Sequence, residues 1–361
     1  MRVGHAELMS VGPNEVVVTF TTDADESVVT RVGAHEVTTT GPFHHARVTG
    51  LEPDTEHDLA VEGATPDPWL PTRVRTLVRP PGRLLATIAT ANDVHFGETE
   101  CGRTGDAGAD AIGPVLRVPT GATPYPELMN GAIVDEMLAL DPDVVVVKGD
   151  LTDSGRPEEY EQFLRCYGRL GARMHHVRGN HDVMRDPQLA RQDAPYTVTL
   201  DGVVLAVLDT TVPGRVGGAL PAEQLQWLDE LARSTGDPVL VFAHHPVWNP
   251  DLDYALLPAD AAALRQLISR HDNIVGYFAG HTHTNRALHD GVPFVEVACA
   301  KDYPGAWAEY RVYEGGYTQV MRRLAAPAAM SWSEAGRTMI QGWYRDLVLG
   351  TIADRCFTHR F

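Results

Sequence analysis

Cysteine is scarce: Cys101, Cys166, Cys299 and Cys356 stand far apart with no CxxC spacing, which excludes a zinc ribbon and a disulfide framework. Basic residues are outnumbered, 30 Lys and Arg against 48 Asp and Glu. The resulting formal charge of −18 opposes binding to a nucleic-acid polymer or an anionic membrane, while leaving room for a small phosphorylated substrate held by cations. Long apolar runs are missing too. No stretch approaches the roughly 18 residues that span a bilayer, and MRVGHAELMSVGPNEVVV has neither the basic start nor the apolar core of a leader. These absences together predict a cytoplasmic protein with reduced thiols.

What is present is ordinary in bulk: 43% hydrophobic and 22% charged residues exclude disorder, collagen and coiled coil. A length of 361 residues suggests about two domains, each able to bury a core without metal or disulfide staples, so a bound metal would serve chemistry. Up to residue 78 the chain is β-rich: EVVVTFTTD, SVVTRVGAHEVTTTG, HHARVTG and EHDLAVEG alternate apolar and polar residues between turn-forming Gly, Pro, Asp and Asn. This spacing predicts a small all-β sandwich over 1–78. A Pro-Pro-Gly marks a linker over 79–84. From 85 to 325, β-branched runs such as VVVV, VLAVLD, PVLVFA and IVGYFAG alternate with helical patterns, which predicts sheets covered by helices. The tail, 326–361, carries Trp332, Trp343, Tyr344, Leu347 and Leu349; it predicts a helix plus a terminal segment, packed on the catalytic domain or on a partner subunit in a homodimer.

Five segments share a design: ATANDVHFG, VVVVKGDLTDSG, HHVRGNHDV, LVFAHHPVW and YFAGHTHTN each follow a strand-like run and end in Asp, Asn or His. Loops beyond strand C-termini gather at one edge of an α/β sheet, so these five would converge. Asp93 and His95, two apart, would face the same side of a pleated strand and chelate. Asp150 follows Gly149, which permits a tight turn and a carboxylate able to bridge two ions. Asn180 offers a neutral oxygen, His181 titrates near neutrality and Asp182 is placed to orient it. One of His244 and His245, ahead of Pro246, reads as a ligand, and His281 and His283 repeat the two-residue spacing.

DVH, GD, GNHD, HHP and GHTH in this order resemble the motif set of the calcineurin-like metallophosphoesterases, over roughly residues 84 to 323. The resemblance implies a four-layer α/β/β/α sandwich with two metals at the strand ends and a metal-bridging hydroxide for in-line attack. It assigns Asp93, His95, Asp150 and His283 to one metal and Asp150, Asn180, His244 and His281 to the other. His244 rather than His245 follows because the family's ligand stands two positions before the Pro. His181 and Asp182 become the catalytic pair at the phosphoryl oxygen or leaving group. Ligands mixing carboxylate, amide oxygen and imidazole without thiolate suit Mn, Fe(II), Zn or Co.

VTGLEPDTEHDLAVEG resembles late strands of the fibronectin type III modules that precede purple acid phosphatases, departing at His57 where such modules carry a Tyr. The metal motifs depart further: His95 replaces a Gly, and Asp153 stands where the Tyr that colours those enzymes would be, so a colourless protein is expected. Asp-x-His with the other motifs looks closer to the bacterial cyclic-nucleotide and glycerophosphodiester phosphodiesterases. Phosphodiester hydrolysis is therefore the first expectation, a phosphomonoesterase with the same core the second, and a non-catalytic metal-binding scaffold the third. Substrate choice would fall to FGETECGRTGDAGADAIGP and NPDLDYALLP, where Glu98, Cys101 and Tyr254 read as solvent-facing residues within reach of a substrate.

Overall fold

The computed structural model describes residues 2–102, 115–249, 251–340 and 342–361. Its first 75 residues build five antiparallel strands in one hydrogen-bonded network: Val3–Val11, Glu15–Val32, His35–Thr49, Glu56–Val61 and Arg73–Arg75. The long strand Glu15–Val32 pairs with the first strand at one end and the fourth at the other. Its polar DADE stretch bends the ladder at a register shift between Thr21 and Glu26 instead of ending it. Leu8, Val16, Val18, Phe20, Val28, Val32, Ala46 and Val48 close one apolar cluster. The alternation read into EVVVTF fails because both faces are covered: Met9 and Val17 turn the other way, into the core of the following domain.

That domain is a four-layer α/β/β/α sandwich. One six-stranded sheet runs in the order Met174–Val177, Val144–Lys148, Leu84–Ala91, Ala306–Tyr313, Gly316–Arg323, Cys356–His359. The other runs Tyr196–Leu200, Val203–Val207, Val239–Phe242, Ile274–Ala279, Val292–Glu296, Arg286–Asp290. Ile88, Val144, Val146, Tyr310 and Val312 of the first meet Leu205, Leu240, Phe242 and Phe278 of the second in the central core. Helices Tyr125–Leu140 and Pro157–Tyr167 cover the first sheet through Met129, Ile133, Met137, Phe163 and Tyr167. Ala222–Ser234 and Pro258–Ile268 cover the second through Leu228, Ala232, Leu264 and Leu267. Central strands buried on both faces explain the unbroken runs VVVV and VLVF.

The parallel strands Leu84–Ala91, Val144–Lys148 and Met174–Val177 of one sheet, and Val239–Phe242 and Ile274–Ala279 of the other, end at a common edge. The tail folds back along the same body as helices Pro327–Gly336, Tyr344–Val348 and Ile352–Arg355, then contributes the edge strand Cys356–His359. Among the described residues no helix is long and apolar enough to cross a membrane.

Candidate metal centre

All five motif segments do converge, but not by a strand pleat. Asp93 and His95 lie past the end of Leu84–Ala91, and His281 and His283 past Ile274–Ala279. Asp93, His95, Asp150, His281 and His283 all hold left-handed φ, between 44° and 79°. Non-glycine residues rarely adopt that region, and five at one place imply a backbone held against local preference by its neighbours. The restraint is visible: Asp93 N donates to Gly149 O, Val94 N and His95 N both donate to Asp150 O, and Gly280 N donates to His244 O. Gly149 and Gly179 are required by crowding, since a Cβ at the first would collide with His244 Nδ1 and at the second with Asp150 Oδ1.

The side chains face inward around Asp150, which is 2% exposed. Its Oδ2 is 3.6 Å from His95 Nε2 and its Oδ1 3.4 Å from His244 Nε2, so each oxygen looks toward a different imidazole. On the His95 side, one ligand atom each of Asp93, His95 and His283 fall within 4.8 Å of one another, with His283 Nε2 3.9 Å from Asp93 Oδ1. On the His244 side, Asn180 Oδ1 and His281 Nδ1 are both 3.2 Å from His244 Nε2. His244 donates from Nδ1 to Lys148 O at 2.8 Å, which leaves Nε2 to face the centre. His245 has both ring nitrogens engaged elsewhere, with Thr210 Oγ1 at 2.8 Å and Val216 O at 2.9 Å. Geometry thus separates the two where the sequence alone left both open.

Both ring nitrogens of buried His95, and Nε2 of His281, lack any hydrogen-bond partner. Buried polar atoms are nearly always paired, so orphaned imidazoles in a pocket of carboxylates fit a site shaped for cations. Burial, then the neighbouring His181 and Lys301, holds His95 well below the usual imidazole range, and burial does the same to His281. Burial works against the charge of Asp150, yet the imidazoles of His244 and His181 keep its carboxyl well below the ordinary range. His244 runs against its own burial and is raised to about 9 by Asp150. Cation binding would require neutral imidazole there, so loading should release a proton.

Asp182 does not orient the ring of His181. Its carboxylate accepts from Leu151 N, Thr152 N, Thr152 Oγ1 and Gly179 N at 2.7 to 3.1 Å, so it ties the second motif loop to the third. The ring of His181 is set instead by Asp153 O, 2.5 Å from Nδ1, while its backbone N–H donates to Asp150 Oδ1 at 2.9 Å. Glu98 and Cys101 are not solvent-facing either. Glu98 Oε2 meets Lys301 Nζ at 2.5 Å, and Cys101 is 3% exposed. Tyr254 is open to solvent, its ring 5.9 Å from that of His281. Most of the loop named for substrate choice, 103–114, lies outside the described residues.

Lys301 and Asp302, beside His283, escaped the sequence reading. FVEVACAKD is a sixth strand-like run ending in charge, but without a second His or Asn it carried no ligand pattern.

Two sheets thus deliver carboxylate, amide and imidazole to one edge in groups that could hold metal ions. The sequence profile described as calcineurin-like phosphoesterase matches residues 86–285, and the chain belongs to that family. It is 36% identical over 45% of its length to a cAMP/cGMP dual specificity phosphodiesterase of Mycobacterium tuberculosis, covering 56% of that protein. It is 31% identical over 43% of its length to a glycerophosphodiester phosphodiesterase of Enterobacter lignolyticus, covering 61% of it. The chain thus spans little more than half the length of these relatives. A dimetal phosphatase from Danio rerio shares the fold with a TM-score of 0.54 at 16% identity, over 67% of this chain and 98% of that one.

Proposed function

We propose that the protein is a phosphodiesterase dependent on two divalent cations and acting on a small phosphodiester in the cytoplasm. The observation that carries the reading is the carboxylate of Asp150, whose two oxygens address two separate ligand sets. Asp93, His95, Asp150 and His283 would hold one ion and Asp150, Asn180, His244 and His281 the other. Mn, Fe(II) or Zn suits this donor set, which has no thiolate. Two such ions, when bound, neutralise phosphate charge and make a nucleophile available from water at neutral pH.

The chain's own groups supply the rest. His181, fixed through Nδ1 by the Asp153 carbonyl, keeps Nε2 free to serve the departing alkoxide. Asp182 acts through the backbone, locking the loops that carry Asp150 and Asn180. The diester preference rests on the names of the two relatives. Its test is the initial rate of Mn²⁺-loaded protein on bis(p-nitrophenyl) phosphate and p-nitrophenyl phosphate, beside an EDTA-treated control. A metal-dependent preference for the diester is expected. A monoester preference would make it a phosphatase, and silence on both would mean either a site that excludes artificial substrates or a scaffold.

A further inference from the structure

The loop Cys299–Tyr303 lies outside the residues that match the family profile, yet it forms one wall of the centre. Asp302 in this loop is 2% exposed. Its Oδ1 accepts from Cys299 Sγ and from Tyr344 OH, each at 2.9 Å. Two donors on one oxygen fix the plane of the carboxylate and turn Oδ2 toward Lys301 Nζ at 3.6 Å and His283 Nδ1 at 4.0 Å. The His283 ring thus stands between two carboxylates, Asp93 near Nε2 and Asp302 near Nδ1.

We propose that Asp302 is a positioning residue for His283, and that the segments on either side of the family domain, the front sheet and the tail, hold it in place. This rests on the reading of His283 as a metal ligand. A carboxylate behind a ligating imidazole favours the proton on the remote nitrogen, directs the other lone pair at the ion and raises ligand basicity. At 4.0 Å the contact acts through its field and not through a formed hydrogen bond.

The bracing comes from both flanks. Tyr344, which donates to Asp302, belongs to the tail, as does Trp332, whose Nε1 donates to Lys301 O at 3.1 Å. From the front sheet, Glu7 accepts from Tyr303 OH at 2.8 Å, and the Arg337 guanidinium that pairs with Glu7 lies 4.6 Å over the Tyr303 ring. Lys301, 4% exposed, is clasped between Glu98 and Asp302, which stops it from swinging toward the imidazoles.

The test titrates Mn²⁺ into the 361-residue chain against a chelator and records the visible spectrum of the Co²⁺-loaded form. In Asp302→Asn one of two sites should weaken by about 10- to 100-fold and its Co²⁺ bands should change, with kcat falling more than KM rises. Tyr344→Phe keeps the carboxylate and every ion pair, so it should fold as wild type, show the same change in smaller measure, and carry the test if Asp302→Asn does not fold. Wild-type protein that takes up fewer than two ions would overturn the two-cation reading and this assignment with it. Two ions in wild type, with unchanged affinity and spectrum in the variants, would overturn the assignment alone.

Discussion

Two clusters of buried charge lie on opposite sides of the loop Cys299–Tyr303, and they are finished differently. At the junction of front sheet and tail, Glu7 accepts from both terminal nitrogens of Arg337 and from Tyr303, and Arg337 also reaches Glu334. Glu334 further pairs with Arg323 and His5, and Arg323 donates to Thr19 and Ser333 as well. At the strand ends, by contrast, His95 and His281 leave ring nitrogens unpartnered. Satisfied networks rigidify a fold, whereas unsatisfied ones cost stability unless something outside the chain completes them. The junction leaves one donor, Arg323 Nε, without a partner, against three imidazole nitrogens at the strand ends, so the first cluster reads as construction and the second as a binding site.

The contrast breaks first at Asp150. Asp150→Asn removes the charge that both ligand sets share, so metal analysis should find both ions lost and activity lower by more than about 100-fold, the scale that outer-shell changes already reach. Full occupancy with normal turnover would end the two-cation reading. His181→Ala should separate binding from chemistry: two ions retained, kcat lower by roughly 10²- to 10⁴-fold, as for loss of a general acid.

The junction should answer in stability instead. Arg323→Met leaves Glu334 with one fewer buried partner, and breaking such a pair costs about 3–5 kcal/mol. Thermal denaturation should show a clear drop in melting temperature, while Mn²⁺ affinity should change less than in Asp302→Asn. A variant that melts normally but loses metal would mean that the two clusters are one functional unit.

How much of this was written in the sequence depends on distance along the chain. The convergence of five motif segments was legible because each is local: an apolar strand, then a loop with ligand chemistry. Strand–helix alternation predicts sheets covered by helices, and helices do cover both outer faces; the four layers are what the family resemblance implies. The way each two-residue pair faces the centre was not legible, because the left-handed backbone at Asp93, His95, His281 and His283 is imposed by neighbouring loops. Asp182 reads in sequence as the partner of its neighbour's ring, when most of its donors, on Leu151 and Thr152, lie some thirty residues away. Asp302 acquires meaning only beside Tyr344, forty-two positions further on. In the front region, the acidic stretch after EVVVTFTTD and the Gly-Pro after SVVTRVGAHEVTTT read as breaks, and the strands Glu15–Val32 and His35–Thr49 continue through them, the first with a bend.

A third buried carboxylate lies between these extremes and sharpens the comparison by pH. Glu296, 4% exposed, ends the strand Val292–Glu296 and accepts from Thr282, the residue between His281 and His283, while Arg286 stands 3.8 Å away. Burial pushes its carboxyl up to about 7, and the help from Thr282 and Arg286 is too small to reverse this. A carboxyl raised on folding means that the folded state holds the proton more tightly than the unfolded chain does. Stability from this group is therefore full below the ordinary glutamate range near 4.5 and lost as pH rises through about 7. Glu296→Gln mimics the protonated form and should escape that loss. Its melting temperature should exceed that of wild type at pH 8, and the gap should close on acidification to pH 5. A gap that is the same at both pH values would mean that Glu296 titrates as an ordinary carboxylate, paired as fully as those at the junction.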